Sequence, residues 1–366
     1  MPKSDPSRPV TTHDVARRAG VSQATVSLVL SGNPRARVAA ATRERVMEVA
    51  EELGYRPNIL ARGLVRGRSY AIGVVVPDLT NPFFLDVVTG AQRVAAEAGY
   101  AVLPGDTRET TPARHLDALR ARQVDGVIID GVGAATLPHD SLSDLKVVVV
   151  DEPSERWPGI ASDALAAGRL AAEHLLALGH RHLAFIGPAT DVHGFRMRER
   201  GFFQALREAG VALPHEWLRR VPPTVSGGQR GMKSLLASAA RPTGVFCAND
   251  LIAMGALKAA LTAGAAVPRD LSIVGCDDIE MASVVTPELT TVAVPARELG
   301  ARAARLLLRQ LAGEQIAAKP TRLLPVRLVK RGTTAEPQGT GDELQGTGDR
   351  EQGTADETSA PPGPST

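Results

Sequence analysis

The stretch Val10-Thr-Thr-His-Asp-Val-Ala-Arg-Arg-Ala-Gly20-Val-Ser-Gln-Ala-Thr-Val-Ser-Leu-Val-Leu-Ser-Gly32 decides how the rest of the chain is read. It reads as two short helices joined by a tight turn at Ala19-Gly20-Val21-Ser22. Thr11 is placed to cap the first helix, with Asp14 three residues on supporting its N-terminal turn, and Ser22 is placed to cap the second. Gly20 sits where the first helix must stop and the chain must turn sharply. Val15, Ala16, Val21, Val26, Val29 and Leu30 form one small apolar face, and the positions between them are polar or small. This is the helix-turn-helix pattern, in which the second helix is pressed into a DNA major groove. An ordinary helical hairpin with Gly in its turn is the plainer alternative, so the flanking sequence has to decide.

Residues 38–54 supply a third amphipathic helix stopped by Gly54, and Tyr55-Arg-Pro-Asn58 follows. Asn58–Gly67 reads as a short helical hinge, and a strand opens at Tyr70-Ala-Ile-Gly-Val-Val-Val-Pro-Asp78. Beyond it, apolar strand runs (Ala71–Val76, Ala101–Leu103, Val124–Ile129, Val147–Val150, Leu183–Ile186, Gly244–Cys247, Leu271–Gly275) alternate with helical stretches near 82–98, 112–122, 164–178, 196–209, 228–239 and 250–263. Continuous apolar strands alternating with helices imply parallel sheets covered on both faces. The run 70–151 makes one lobe and the run from about 163 to 285 a second, followed by a helix at 295–312 and a strand at Leu323–Val329.

Asp14-Val-Ala, Ala19-Gly-Val-Ser, Thr25-Val-Ser, Thr42-Arg-Glu-Arg-Val, Tyr55-Arg-Pro-Asn and Asn81-Pro-Phe-Phe84 occur in this order, and the chain closely resembles the lactose/galactose-repressor (LacI–GalR) family over about residues 9–332. The resemblance implies an N-terminal all-α helix-turn-helix head and an α/β two-lobed, periplasmic-binding-protein-like domain with parallel sheets. It also implies three crossings between the lobes, with a ligand cleft left between them. The expected organisation is a flexible N-terminus (1–8), a DNA-binding head (9–57), a hinge (58–68), an effector-binding and dimerisation domain (69–332) and a disordered acidic tail (333–366).

Charge agrees with a polyanion at the N-terminal end. The whole chain carries only +2, yet residues 1–68 hold twelve Lys/Arg against six acids. Residues 333–366 hold seven acids and one Arg, and Gln338-Gly-Thr-Gly-Asp, Gln345-Gly-Thr-Gly-Asp and Gln352-Gly-Thr-Ala-Asp recur every seven residues. That repeat has almost no apolar side chains with which to bury a core. Cys247 and Cys276 lie in apolar strand runs and read as buried free thiols. No secretory apolar segment opens the chain and no apolar run is long enough for a bilayer, so the expectation is a cytoplasmic protein without a membrane partner.

By resemblance, Gln23, Ala24 and Leu28 occupy base-reading positions. Gln suits adenine N6/N7, and Ala or Leu suits a thymine methyl. Ser22, Thr25 and Ser27, with Tyr55 and Asn58, are expected at phosphates. Thr12, opening the first helix, is expected at the same surface. Leu64 matches the leucine that wedges between base pairs in the minor groove and kinks the duplex. A hinge of this length containing Gly63 is not stable as an isolated helix, so it should order on DNA with its partner from a second chain. The chain departs from the family in three places here. Leu28 stands where many members have Arg, Ala39 where a Ser usually caps the third helix, and the loop Gly32–Arg37 is long, with Arg35 and Arg37 available to phosphates.

Asp151, Asn249 and Asp277 follow strand ends, and Arg198 follows the Leu183–Gly187 strand, where ligands collect in open parallel sheets. By resemblance these are the effector-binding positions, with Phe83 or Phe84 as an apolar wall. Carboxylates, an amide and a guanidinium together grip vicinal hydroxyls. A sugar or sugar derivative fits best, with a purine-like or other polar metabolite as the alternative. Pro223 falls near where relatives often place an aromatic.

Enzymatic readings find little support. Gly131-Val-Gly133 lacks the third Gly of a dinucleotide turn, and no phosphate loop or nucleophile elbow occurs. His180 and His182 read as surface residues without metal partners. No cofactor, metal or catalytic residue is expected. The sequence reading is therefore a homodimeric, allosteric repressor acting on palindromic operator DNA under control of a sugar-like effector. It leaves open inducer or co-repressor, and dimer or tetramer.

Overall fold

The computed structural model describes residues 10–30, 37–55, 67–131, 137, 142, 144–188, 192–238, 241–318 and 323–338. The expected hinge residues Asn58 and Leu64, along with Arg35, lie outside the described residues.

Helices α1 (Thr12–Ala19), α2 (Gln23–Leu30) and α3 (Ala40–Glu52) form the head. The caps explain its start points. The backbone N–H of Thr11 donates to Asp14 Oδ2 at 3.0 Å while Asp14 N–H donates back to Thr11 Oγ1, a reciprocal capping box. The Thr25 amide donates to Ser22 Oγ at 3.1 Å. Gly20 turns the chain at φ +65°, where a side chain would be strained. Ala39 offers α3 no side-chain cap, which omits about 1 kcal/mol of helix stabilisation. Val15, Ala16, Val26, Val29, Val46, Val49 and Ala50 make the head core, and Arg45 Nε donates to the Ala19 carbonyl across it at 3.0 Å.

The first lobe carries β1 (Ala71–Val76), α4 (Pro82–Glu97), β2 (Ala101–Asp106), α5 (Pro112–Ala121), β3 (Gly126–Asp130), β4 (Lys146–Val150) and β5 (Gly159–Ile160). Its sheet is all parallel, in the order β2-β1-β3-β4-β5. The second lobe carries α6 (Ala164–Ala177), β6 (Leu183–Pro188), α7 (His193–Glu208), β7 (Leu218–Val221), α8 (Val225–Leu236), β8 (Gly244–Cys247), α9 (Asp250–Thr262), β9 (Ser272–Asp277) and β10 (Thr290–Ala293). After β10 the chain returns to the first lobe as α10 (Ala296–Leu311), then crosses again to add β11 (Arg327–Val329) antiparallel to β10. The second sheet runs β11-β10-β9-β8-β6-β7. Backbone bonds tie the crossings together: Leu324 N–H donates to the Ala161 carbonyl and Asp163 N–H to the Leu324 carbonyl.

Three helix pairs approach backbone to backbone through glycine. A Cβ on Gly300 would stand 1.8 Å from the Val87 carbonyl oxygen, on Gly255 1.9 Å from that of Val225, and on Gly168 1.7 Å from that of Arg198. The last contact seats α7 on α6 and fixes where Arg198 begins. Phe202, one turn along α7, stacks with Phe246 at 5.2 Å and Phe185 at 5.9 Å in the second-lobe core.

Two expectations are corrected here. The acidic tail was expected to begin at 333, but Thr333 is fully buried. Its carbonyl accepts from Ile273 N–H, and its hydroxyl donates to the Ile273 carbonyl at 2.7 Å. The Ala335 amide likewise donates to Ser272 Oγ at 3.1 Å. A short polar segment is thus held by paired hydrogen bonds rather than by apolar burial. His180, expected on the surface, is 1% exposed and bonds Thr243, Ser272 and the Ala335 carbonyl. His182 is exposed and packs edge-on against Trp217. Cys247 and Cys276 are buried free thiols.

Candidate functional site

The head presents one outward helix face. On α2, Val26 and Val29 point into the core, which leaves Gln23, Ala24, Ser27 and Leu28 exposed on one side, with Ser22 exposed at its start and Thr25 half-buried. Leu28 is 44% exposed, unusual for a leucine in so small a unit. Gln23 Nε2 donates to Thr12 Oγ1 at 2.9 Å, so the first residues of α1 and α2 stand side by side. Ser22 Oγ and Thr25 Oγ1 are 2.9 Å apart. Tyr55 closes α3 and packs half-buried on the head core, its amide bonding the Ala50 carbonyl at 2.8 Å. Arg37 is exposed just ahead of α3. The surface is therefore hydroxyls, one amide and two apolar tips, a set suited to phosphates, an adenine edge and thymine methyls.

The second candidate lies between the lobes. A cavity of about 40 Å³ joins Asn81, Phe83, Phe84, Asp130 and Asp151 of the first lobe to Phe195, Arg198 and Asp277 of the second. Strand ends deliver most of the polar groups, since Asp130 closes β3, Asp151 follows β4 and Asp277 closes β9. Asp151 and Asp277 hold positive φ values of 52° and 127°, strain of about 1–3 kcal/mol each of the kind that gathers at functional sites. Asp151 is fixed by Ser162, whose amide and hydroxyl donate to Oδ1 at 2.6 and 2.9 Å. Arg198 is 6% exposed, with Nη1 donating to the Ala248 carbonyl at 2.7 Å and Nη2 in an ion pair 2.8 Å from Asp277 Oδ1. Its guanidinium also lies over the Phe195 ring at 5.5 Å.

The electrostatics are those of buried acids. Burial pushes the Asp277 carboxyl up to about 7, against the pull of Arg198. Burial also raises Asp151, with the Ser162 bonds and Arg198 opposing. Asp130 is raised well above the carboxylate range by burial first, then by Asp151, Glu152 and Asp277.

Of the expected ligand residues, Phe83, Phe84, Asp151, Arg198 and Asp277 meet at the cavity, while Asn249 is not on its wall. Asn249 caps α9, its Oδ1 accepting from Ile252 N–H at 2.9 Å. Its Nδ2 is buried without a hydrogen-bond partner among the described residues. Sequence reasoning missed Asn81, Asp130 and Phe195. Asp130 carried the same signal as Asp151, an acid directly after an apolar strand. Phe195 supplies an aromatic ring to the wall although Pro223 lies elsewhere.

Comparison with known proteins places this geometry. Residues 11–58 match the model for bacterial regulatory proteins of the lacI family, and residues 172–334 match a periplasmic binding protein-like domain. The HTH-type transcriptional repressor CytR of Escherichia coli (strain K12) is 36% identical over 333 residues, 88% of this chain and 96% of its own. The solved structure of the lac repressor dimer bound to operator and the anti-inducer ONPF superposes with a TM-score of 0.79 at 32% identity, covering 90% of this chain and 100% of that one. A LacI family regulator from Enterococcus faecium with bound ribose gives 0.66 at 32% identity, covering 73% of this chain and 99% of that one. With a helix-turn-helix head ahead of a two-lobed binding domain, and relatives matched over almost their whole length, the chain belongs to the LacI family of bacterial regulatory proteins and is a DNA-binding transcription regulator.

Proposed function

We infer that this regulator is a homodimeric repressor of palindromic operator DNA, released or tightened by a sugar-like ligand held between its lobes. The observation that carries the reading is one chain joining an outward-facing recognition helix to an interlobe cavity built from both lobes. The relatives support it: CytR is named a repressor, the lac repressor was solved as a dimer on operator, and the E. faecium regulator was solved with ribose.

In this reading residues 9–57 are the head, 58–68 the hinge, and the lobes begin at 69. Gln23, Ala24 and Leu28 meet base edges, while Ser22, Thr25, Ser27, Thr12, Arg37, Tyr55 and Asn58 meet phosphates. Leu64 enters the minor groove from the hinge. Asp151, Arg198, Asn249 and Asp277 bind ligand hydroxyls against Phe83 and Phe84, Asn249 through the Nδ2 that has no partner among the described residues. A cavity of 40 Å³ is far below the roughly 300 Å³ at which sites for drug-sized ligands begin, so admitting a sugar requires the lobes to part. Parting them changes the separation of the two hinges in a dimer, and DNA affinity follows without contact between ligand and DNA.

Duplexes selected by the full-length chain from a random pool are expected to be inverted repeats. Their affinity should fall steeply with salt, by about 10³-fold or more between 50 and 200 mM as about six of the Lys and Arg side chains that residues 1–68 of the two chains supply leave phosphates. A pool with no enriched repeat, or an affinity indifferent to salt, would contradict the reading.

A further inference from the structure

The last described residues cross the second sheet beside the starts of its strands, in the order in which those strands lie. Thr333 bonds Ile273 of β9, and the Ala335 carbonyl accepts from His180 just ahead of β6. Pro337 then packs beside Gly179, where an added Cβ would stand 3.8 Å from its Cδ. The next strand in that direction is β7, the edge of the sheet. At that edge lies an open apolar groove of about 540 Å³, walled by Phe203 and Leu206 of α7, Val211, Leu213 and Pro214 of the loop after it, and Leu218 of β7. Through Phe203 and Arg207 it continues into a basic trough of about 770 Å³ that holds Arg196, Arg200, Arg207 and Arg220. The spacing 196, 200, 203 and 207 puts these side chains on one stripe of α7. Arg220 is taken by Glu199 at 2.7 and 2.5 Å, whereas Arg200 and Arg207 are exposed and have no ion-pair partner among the described residues. Phe195 and Arg198, which line the interlobe cavity, line neither part of this groove.

We propose that the chain's own segment Asp342-Glu343-Leu344 occupies this groove, with Leu344 in the apolar end and the two carboxylates against Arg207 and Arg200. The path of the chain favours this occupant. Six residues lead from Gln338 to Leu344, a reach of up to about 20 Å, while neighbouring strands lie only about 4.8 Å apart. Charge favours it as well, because residues 339–366 hold six acids and one Arg, opposite in sign to the trough. Leu344 is also the one Leu, Ile, Val, Met or aromatic residue in that stretch, so the tail carries a single apolar anchor with its acids directly before it. Tethering supplies an effective concentration on the order of millimolar, at which a few contacts hold the segment in place.

The test uses the full chain and a glutamate-specific protease, which cuts after Glu343 and Glu357 among other sites. Cleavage tracks the fraction of time a site is open. With each rate divided by its value in a synthetic peptide of residues 339–366, cleavage after Glu343 is expected to be about tenfold or more slower than after Glu357. Arg200→Gln combined with Arg207→Gln leaves the cleaved sequence untouched and should bring the two rates within about threefold, with an unchanged melting midpoint. Leu344→Ser, normalised to a peptide with the same change, should do likewise and isolates the apolar anchor from the charges. Equal normalised rates in the parent would overturn the docking and leave the groove to a separate acidic partner. Protection that survives the arginine changes would place the segment elsewhere, and protection that survives Leu344→Ser would remove the anchor. Protection that weakens on dilution would seat a second chain's tail in the groove and overturn the same-chain assignment.

Discussion

Asp277→Ala is expected to abolish the response to ligand while operator affinity stays within a fewfold of the parent. Asp277 closes β9 and pairs with Arg198 at 2.8 Å inside the protein. Losing a carboxylate that accepts from a ligand hydroxyl removes a charge-assisted hydrogen bond of about 1.5–3 kcal/mol, so ligand affinity should drop by about tenfold to more than a hundredfold. The same truncation strands Arg198 without its counter-charge, which costs the lobed domain about 3–5 kcal/mol of stability. The head lies outside this network, its core being Val15, Val26, Val46 and their neighbours, so DNA reading should survive. Asp277→Asn keeps the volume and separates lost recognition from lost folding. Thermal melts, ligand titration and operator binding on both variants check the outcome. A normal ligand response in Asp277→Ala would move the ligand site elsewhere.

Leu64→Ala should do the reverse: operator affinity falls by about two orders of magnitude while ligand affinity is unchanged. The wedge role rests on the hinge sequence and its family resemblance, and on the energetics of kinking, in which unstacking costs a few kcal/mol per step and is offset by the contacts a bent duplex allows. Ala is too short to hold a step open. Fluorescence anisotropy on a selected operator and a circular-permutation bending assay measure the two parts. Operator affinity and bend angle both equal to the parent would remove the wedge.

Much of this was legible in the residues. The head was written in short-range chemistry, with caps at Thr11 and Ser22, a turn at Gly20 and apolar spacing on α2. These are local rules, and the helices fall where they say. The buried parallel strands were legible because Ala71–Val76 or Gly244–Cys247 are apolar throughout. Strands β7 and β10 were missed because neither is such a run. Leu218-Arg-Arg-Val221 is an edge strand beside β6 whose arginines bond Ser234 and Glu199. Thr290-Thr-Val-Ala293 is buried through hydroxyl bonds to Asp250, Thr333 and Thr334. The ordered segment through Ala335 was hidden for the same reason, since its partners are far away in sequence. At the cleft, strand-end acids were visible one at a time. That Asp151 is held by Ser162 and that Asp277 sits beside Arg198 are facts of the fold that no local pattern carries.

The claim on which the account turns is that the cleft and the head are coupled through the hinges. It is tested most directly by measuring one sugar's affinity for the full-length dimer with and without saturating operator, and operator affinity with and without saturating sugar. Linkage requires the same factor in both directions, and allosteric couplings of about 5–150-fold set its expected size. Tight binding of both partners with a factor of one in each direction would contradict the account.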